Sequence, residues 1–171
     1  MSKSYSYSSD ATLREAATIA LNEALCRMSE HTEATHAGLS ERNPTPEGIE
    51  ALHDMRVGSR RVRAALSVFG GIFSADEREN LTSAAKQITD ALGTVRDLDV
   101  QIEMLERYKT TVSAAQVYGI ERLIEQQKKT RNKKRKALLS EWSEIAPEKF
   151  ARRLQKALSK SGAESREGTR G

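Results

Sequence analysis

The chain has 171 residues, of which 30% are charged and 5% aromatic, and its formal net charge is +4. A chain of this length forms one sizeable core, so we expect one domain, and the low proline and aromatic content favours a helical protein. The single cysteine, Cys26, excludes an internal disulfide and any multi-cysteine metal site. No apolar run approaches the length of a membrane span, and the first residues lack the apolar stretch of a signal peptide, so we expect a cytoplasmic protein with no membrane partner.

Capping residues mark the first two predicted helices. Asp10 is the candidate N-cap of a helix that runs to about Gly38. After a loop, Thr45 as N-cap and Pro46 at the first helical position open a second helix, which ends near Gly70. Residues at helical spacing on the first helix predict its inner stripe, which consists of Leu21, Leu25, Met28, Thr32, Thr35 and Leu39.

Three further helices follow in the second half of the chain. Ser74, with Glu77 three residues later, predicts a capping box that opens a third helix. Ser113 and Gln116 repeat this pattern and open a fourth helix, which reaches about residue 140, and Pro147 starts a short fifth one. The short connections favour an all-α fold, in which four long helices form an up-down antiparallel bundle and a short C-terminal helix closes it.

The composition changes at both ends of the chain. Residues 1–9 and 161–171 consist mainly of serine, glycine and charged residues. Such segments cannot bury enough apolar surface to fold, so we expect both to be disordered. The helical bundle domain is therefore expected to span residues 10–160.

The most informative segment lies on the second predicted helix. His53, Arg56, Arg60 and Arg63 recur at steps of three, four and three, so they project from one side of the helix. The row is about 15 Å long at the rise of an α-helix, and it runs beside the apolar stripe. Because guanidinium groups make bidentate contacts with phosphate oxygens, the row predicts a polyanion site. The alternative is a solvated helix face whose charges are paired with neighbouring acids.

Two positions interrupt the apolar seams of the third and fourth helices. On the third helix, Asp99 occupies a position where an apolar residue is expected. Arg131 and Lys134 occupy such positions on the fourth helix. A buried charge needs a partner, a ligand or water, so these helices border a polar cavity, or the fourth helix extends past the bundle. For Asp99 we expect a salt bridge that orients an arginine such as Arg56 or Arg60, in preference to a ligand or metal contact.

A strongly basic segment lies on the fourth predicted helix. Residues 128–136 contain seven basic residues and no acidic one. Such a segment alone predicts either a nucleic-acid-binding patch or a soluble surface. Aromatic residues that stack on bases do not interleave it, which weakens the single-strand hypothesis. A nucleic-acid-binding or protein-interaction module therefore stays an alternative to a pure phosphate binder.

The sequence offers little support for catalysis or for a dedicated metal site. It has no glycine-rich phosphate loop followed by Lys-Ser/Thr, no His-Glu-x-x-His motif and no nucleophile in an activating context. His31 and His36 are five residues apart, a poor spacing for one helix face, and His53 lies beyond a loop. We therefore expect a non-enzyme without a resident metal, and divalent-metal binding through the histidines is the less favoured alternative.

Two segments of the chain resemble a known family. They are His53-x-x-Arg56-Val57-x-x-Arg60-Arg61-x-Arg63 and Leu92-Gly93-x-Val95-Arg96-Asp97-Leu98-Asp99-Val100. In this order they resemble the two recognisable motifs of the CHAD family, the conserved histidine α-helical domain. The resemblance implies a helical module that binds inorganic polyphosphate through a basic channel and does not catalyse its metabolism.

The resemblance also implies roles for individual residues. Those implied to bind polyphosphate are His53, Arg56, Arg60, Arg61 and Arg63. Those implied to orient the arginines are Arg96, Asp97 and Asp99. Helix phase, and not a motif, adds Arg131, Lys133 and Lys134 as the opposite wall of the groove. No cofactor is implied, although a divalent cation is acceptable alongside bound polyphosphate.

The resemblance covers only the first half of the family's pattern. CHAD domains resemble two related four-helix halves that face each other across a basic groove, and this chain has no second His/Arg/Lys motif. The groove is therefore either open, or completed by a second copy with C2 symmetry. We favour the homodimer, because two-fold dimers are the commonest assembly. Polyphosphate binding also implies association with cytoplasmic polyphosphate granules.

Overall fold

The structure is a computed structural model that describes residues 12–41 and 43–167, with side chains through residue 160. All regular secondary structure in this part is helical, which confirms the predicted all-α class. A 3-10 turn at Gly70–Ile72 accompanies six helices: α1 (Leu13–Ser29), α2 (Thr32–Ser40), α3 (Pro46–Phe69), α4 (Ala75–Lys109), α5 (Ala114–Ile145) and α6 (Pro147–Glu167). Within the same residues, no helix combines the length and apolar content needed to cross a membrane.

The predicted first helix is in fact two helices. α1 begins after Thr12, which forms a capping box with Glu15, whereas the predicted cap Asp10 lies outside the described residues. The chain bends at His31, whose φ of −102° and ψ of −1° depart from helical values. The Thr32 hydroxyl donates to the Met28 carbonyl, a bond that bends helices. The predicted inner stripe continues across the bend, since all six of its residues are buried.

Helix α3 is the centre of the bundle, because it packs against α1, α2 and α4. Helix α4 also contacts α5 and α6, while α2 reaches α5 and α1 reaches α6. One end of the bundle therefore consists of α1, α3, α4 and α6, and the other of α2, α3, α4 and α5. The largest fully buried side chains come from five of these helices: Leu21, Leu25, Met28, Leu39, Leu52, Met55, Val62, Leu66, Leu81, Ile88, Leu92 and Leu154.

Helix α6 is longer than predicted. It runs to Glu167 and so continues through seven of the residues that were expected to be disordered. Phe150 and Leu154 are buried in the core, as are Ala157 and Leu158. This apolar face anchors the helix against α1 and α4, so the polar composition after residue 160 does not end it. Residues 1–9 and 168–171 lie outside the described part of the chain.

Close backbone contacts at glycines fix how α1 and α2 cross α3. A Cβ at Gly58 would lie 2.7 Å from the Met28 Cα, and one at Gly38 would lie 2.6 Å from the Gly48 Cα. Real Cβ atoms do not approach backbone this closely, so a side chain at either position would force the helices apart. The two contacts fix the position of α3 along its axis relative to α1 and α2.

We expect Gly58→Ala to lower the free energy of unfolding by roughly 1–3 kcal/mol, because the added methyl group overpacks the α1–α3 contact. The matched control is Gly119→Ala on α5, where an added Cβ meets no atom within 4 Å. There the higher helix propensity of alanine stabilises the protein by about 0.5–1 kcal/mol. Denaturant unfolding measures both; equal effects in the two variants would contradict the close crossing.

Candidate functional site

A surface groove of about 310 Å³ lies between α3 and α4. Helix α3 contributes the three arginines of the predicted row, and α4 forms the facing wall. The residues that line the groove are Arg56, Arg60, Arg63, Thr89, Asp90, Gly93, Thr94 and Asp97. The helix spacing read from the sequence therefore does bring the three guanidinium groups to one groove.

Arg56 is the most constrained member of the row. Its guanidinium lies against α4 at Gly93, where an added Cβ would be 3.4 Å from the Arg56 Nε. The Arg56 Nη2 is 3.1 Å from the Asp97 Oδ1. This contact places Asp97 beside Arg56, and the orienting role that the resemblance implies for Asp97 stays a prediction. The Arg56 Nε is buried and has no hydrogen-bond partner within the described residues.

The other two arginines of the row are held less tightly. The Arg63 Nη1 is 3.9 Å from the Asp90 Oδ1, the outer limit of an ion pair, and the two side chains are 40% and 59% exposed. Arg60 is exposed and forms no ion pair with any residue in the described part of the chain. Arg60 is therefore the guanidinium that an incoming anion meets without displacing a carboxylate.

His53 extends the row toward the start of α3. The Arg96 Nε of α4 donates a hydrogen bond of 3.1 Å to the His53 Nδ1. An Nδ1 that accepts this bond carries no proton, so the proton of the neutral ring is on Nε2. His53 can therefore donate to an anion from Nε2 without becoming charged. The same contact brings a fourth guanidinium, that of Arg96, to the end of the row.

Arg61 does not belong to this groove. It lines a separate groove of about 920 Å³ between α1 and α3, together with Arg27, Glu23 and Asp54. One residue along an α-helix turns the side chain by about 100°, which takes Arg61 away from the face of Arg60. The assignment of Arg61 to the same anion site as the row is thus not supported by its position.

Asp99 forms the predicted salt bridge, but with a different arginine. The Arg131 Nε of α5 donates to the Asp99 Oδ1 at 2.8 Å, and each side chain is 4% exposed. The prediction that Asp99 orients Arg56 or Arg60 is therefore wrong. Asp99 lies two residues after Asp97 on α4, a rotation of about 200°, so it faces α5 and not α3.

Arg135 is a buried residue that the sequence reasoning did not single out. Its Nη1 donates to the carbonyl oxygen of Leu39, at the end of α2. Burial and the nearby positive charge of Arg131 lower the pKa of the Arg135 guanidinium. The helical spacing in the sequence could have identified it, because Arg135 follows Arg131 by one helical turn and continues the same inner stripe.

The facing wall of the groove is therefore α4 and not α5. Arg131 is committed to Asp99, and neither it nor Lys133 or Lys134 is among the groove residues. Lys133 and Lys134 are exposed on α5. The alternative that α5 extends past the bundle at Arg131 is also wrong, because Arg131 is buried.

The three histidines lie in three separate environments. The His31 Nε2 is 3.9 Å from the Asp54 Oδ2, while the His36 ring contacts Trp142 with centroids 5.3 Å apart. His53 accepts from Arg96. Within the described residues, no three His, Cys, Asp or Glu side chains come together as a metal-binding group.

The family model of the CHAD domain matches residues 19–170, which is most of the chain. The chain therefore belongs to the CHAD family, as its two motifs indicated. No curated protein and no solved structure matches it at a significant level.

We expect Asp99→Asn to lower the free energy of unfolding by about 3–5 kcal/mol, because it leaves the Arg131 charge buried without a counterion. The comparison is Glu106→Gln, which breaks exposed ion pairs with Lys128 and Lys109 and should cost about 1 kcal/mol or less. Replacing both buried partners, as Asp99→Leu with Arg131→Met, should recover most of the loss. Denaturant unfolding measures all three; if Asp99→Asn costs no more than Glu106→Gln, the pair does not hold α5.

Proposed function

We propose that this protein binds inorganic polyphosphate, without catalysing a reaction, in the groove between α3 and α4. The observation that carries the proposal is the presence of three guanidinium groups in one groove, Arg56, Arg60 and Arg63. The CHAD family is known for polyphosphate binding, which supports this choice of ligand. His53 and Arg96, at the end of the row, extend the cationic surface.

The spacing of the row suits a phosphate polymer better than a single phosphate. The guanidiniums lie on successive turns of α3, about 5 Å apart along the helix axis, so each can meet a different phosphate of one chain. Binding of this kind releases counterions from the polymer and weakens steeply as salt rises. The affinity should therefore grow with the length of the phosphate chain.

The two threonines of the groove favour binding over catalysis. The hydroxyl groups of Thr89 and Thr94 donate to the carbonyl oxygens of Ala85 and Ala91, each at 2.8 Å. They are therefore occupied by their own helix and are not activated by a neighbouring base. The groove thus offers guanidinium groups that can hold an anion, and its two hydroxyl groups are not poised to attack one, which supports a non-enzymatic role.

We also propose that two copies associate with C2 symmetry and complete the groove. The support is the family resemblance, in which two helical halves face each other across the basic groove. Lys133 and Lys134 are exposed on α5 and stay candidates for contact with the ligand in such an assembly. Binding would also place the protein at cytoplasmic polyphosphate granules.

We expect Arg60→Ala to weaken the binding of long-chain polyphosphate about tenfold, because one charged hydrogen-bond donor costs about 1.5 kcal/mol. Arg56→Ala should weaken it at least as much. Loss of one phosphate contact should also lower the slope of log Kd against the logarithm of the salt concentration by about one unit. The control is Arg152→Ala, which removes the same charge from an exposed position on α6. Titrations of the native protein and the three variants, at several salt concentrations around the physiological one, measure the affinities and their salt dependence.

The same titration, repeated with RNA as competitor, separates the ligand classes. We expect RNA to displace polyphosphate only at far higher concentration, because the groove offers no aromatic surface on which bases stack. Equal displacement by RNA would favour a nucleic-acid-binding module. If Arg60→Ala and Arg152→Ala weaken binding equally, the arginine row acts only as part of a generic basic surface.

For the assembly, we expect light scattering to give the mass of a dimer, about twice 19.0 kDa, in the presence of polyphosphate. The dimer should persist with phosphate chains too short to bridge two independent monomers. A monomer at high concentration, both with and without polyphosphate, would remove the dimer from the proposal.

A further inference from the structure

Helix α4 continues beyond the groove with an exposed apolar surface. Asp97 is the last residue of α4 that lines the groove. Val100, Met104 and Tyr108 follow it at steps of three, four and four, so they lie on the same side of the helix. Their exposed fractions are 36%, 59% and 56%. These three residues form the α4 patch. Exposed apolar side chains that adjoin one another beside a polar site are typical of a contact surface.

The α4 patch is symmetrical about Met104. Val100 and Tyr108 lie four residues to either side of it, about 6 Å along the helix axis. When two α4 helices pack antiparallel about a two-fold axis at Met104, Val100 lies against the partner's Tyr108, and the two Met104 side chains meet. A two-fold contact requires a surface that complements itself in this way.

The charges beside the α4 patch complement themselves under the same symmetry. The Arg107 Nη2 is 3.3 Å from the Glu103 Oε1, and the two side chains are 75% and 59% exposed. Both residues lie on one flank of the patch. An antiparallel two-fold pairing brings equal flanks together, so Glu103 of each copy lies only about 3 Å along the axis from the partner's Arg107. A parallel pairing would set like charges opposite each other, and this difference favours the antiparallel arrangement.

We propose that the α4 patch is the contact surface between two copies of this chain, which pack antiparallel through α4. Asp97 and Thr111 lie seven residues to either side of Met104, so the pairing brings the end of the partner's α4 to the Arg56 end of the groove. The partner then supplies a second wall at that end of each groove. The inference rests on the proposed function for the association of two copies, and it adds the surface by which they meet.

The α4 patch is small, so the dimer should be weak. Standard interfaces involve about 20–30 residues on each side. We therefore expect association in the absence of ligand only at high protein concentration. Polyphosphate that contacts both copies should favour the dimer, because a ligand stabilises the state that it binds.

Disulfide trapping without polyphosphate is the first test, because it captures weak dimers at a defined position. Cys26 is exposed, so the parent variant is Cys26→Ser. In this background, Met104→Cys should give a disulfide-linked dimer on mild oxidation, since the two-fold axis brings the two residues together. The control is Leu123→Cys, because Leu123 is 50% exposed on α5 and lies outside the α4 patch. It should stay largely monomeric.

A charge exchange tests the orientation of the two helices. Glu103→Arg should abolish the dimer that sedimentation equilibrium detects at high protein concentration, because four arginines then meet at the contact. Combining it with Arg107→Glu should restore the dimer, since the opposite charges again lie within reach across the axis. Both residues are exposed, so the fold tolerates either change.

Each other result overturns the inference. Equal trapping at residues 104 and 123 would reflect random collision, and a dimer that is not trapped at residue 104 meets through another surface. Failure of the double exchange to restore the dimer would remove the antiparallel pairing. A native protein that stays monomeric at every concentration would leave the α4 patch to a different partner. If the native protein fails to bind polyphosphate but is trapped at residue 104, the proposed ligand is wrong and the contact surface stands.

Discussion

The packing of α3 against α4 is the contact on which the candidate site depends. The two helices meet in a register that sets Arg56 beside Gly93 and Asp97, and His53 beside Arg96. Each contact joins one helix to the other, so a shift by a single turn would separate all of them. The apolar residues of the same two helices fix this register from the core. The site is thus a consequence of core packing, because no loop has to order itself to form it.

The arginines of this protein fall into two groups with different physical roles. Those of the groove keep contact with water, and their charge is available to a ligand. Arg131 and Arg135 are buried at the other seam of α4 and join α5 to Asp99 and to the end of α2. A buried guanidinium that has lost its hydration is stabilised by its fixed partners, and exchanging them for an anion is costly. Local arrangement, and not the modest net charge of +4, therefore decides which arginines are accessible to an anion.

Helix positions, the arginine row and the family were predictable from the sequence, because they depend on caps, periodicity and motifs within one segment. Contacts between segments were less predictable. Helix phase showed that Asp99 and Arg131 point inward, but not that they point at each other, since phase does not reveal which helix lies opposite. The bend at His31 was missed because the apolar stripe runs through it unbroken. Helix α6 was predicted too short because the sequence of its C-terminal end is polar. The burial of Phe150 and Leu154 at its start holds the helix in the bundle, and the sequence pattern alone did not reveal this.

Under the proposed function, polyphosphate contacts the arginine row and not the basic surface at large. Nuclear magnetic resonance of the arginine Nε–H groups, recorded as polyphosphate is added, tests it most directly. We expect the signals of Arg56, Arg60 and Arg63 to shift, while that of Arg131, whose Nε already donates to Asp99, stays in place. Shifts confined to arginines outside the groove, such as Arg152 and Arg153 on α6, would contradict it.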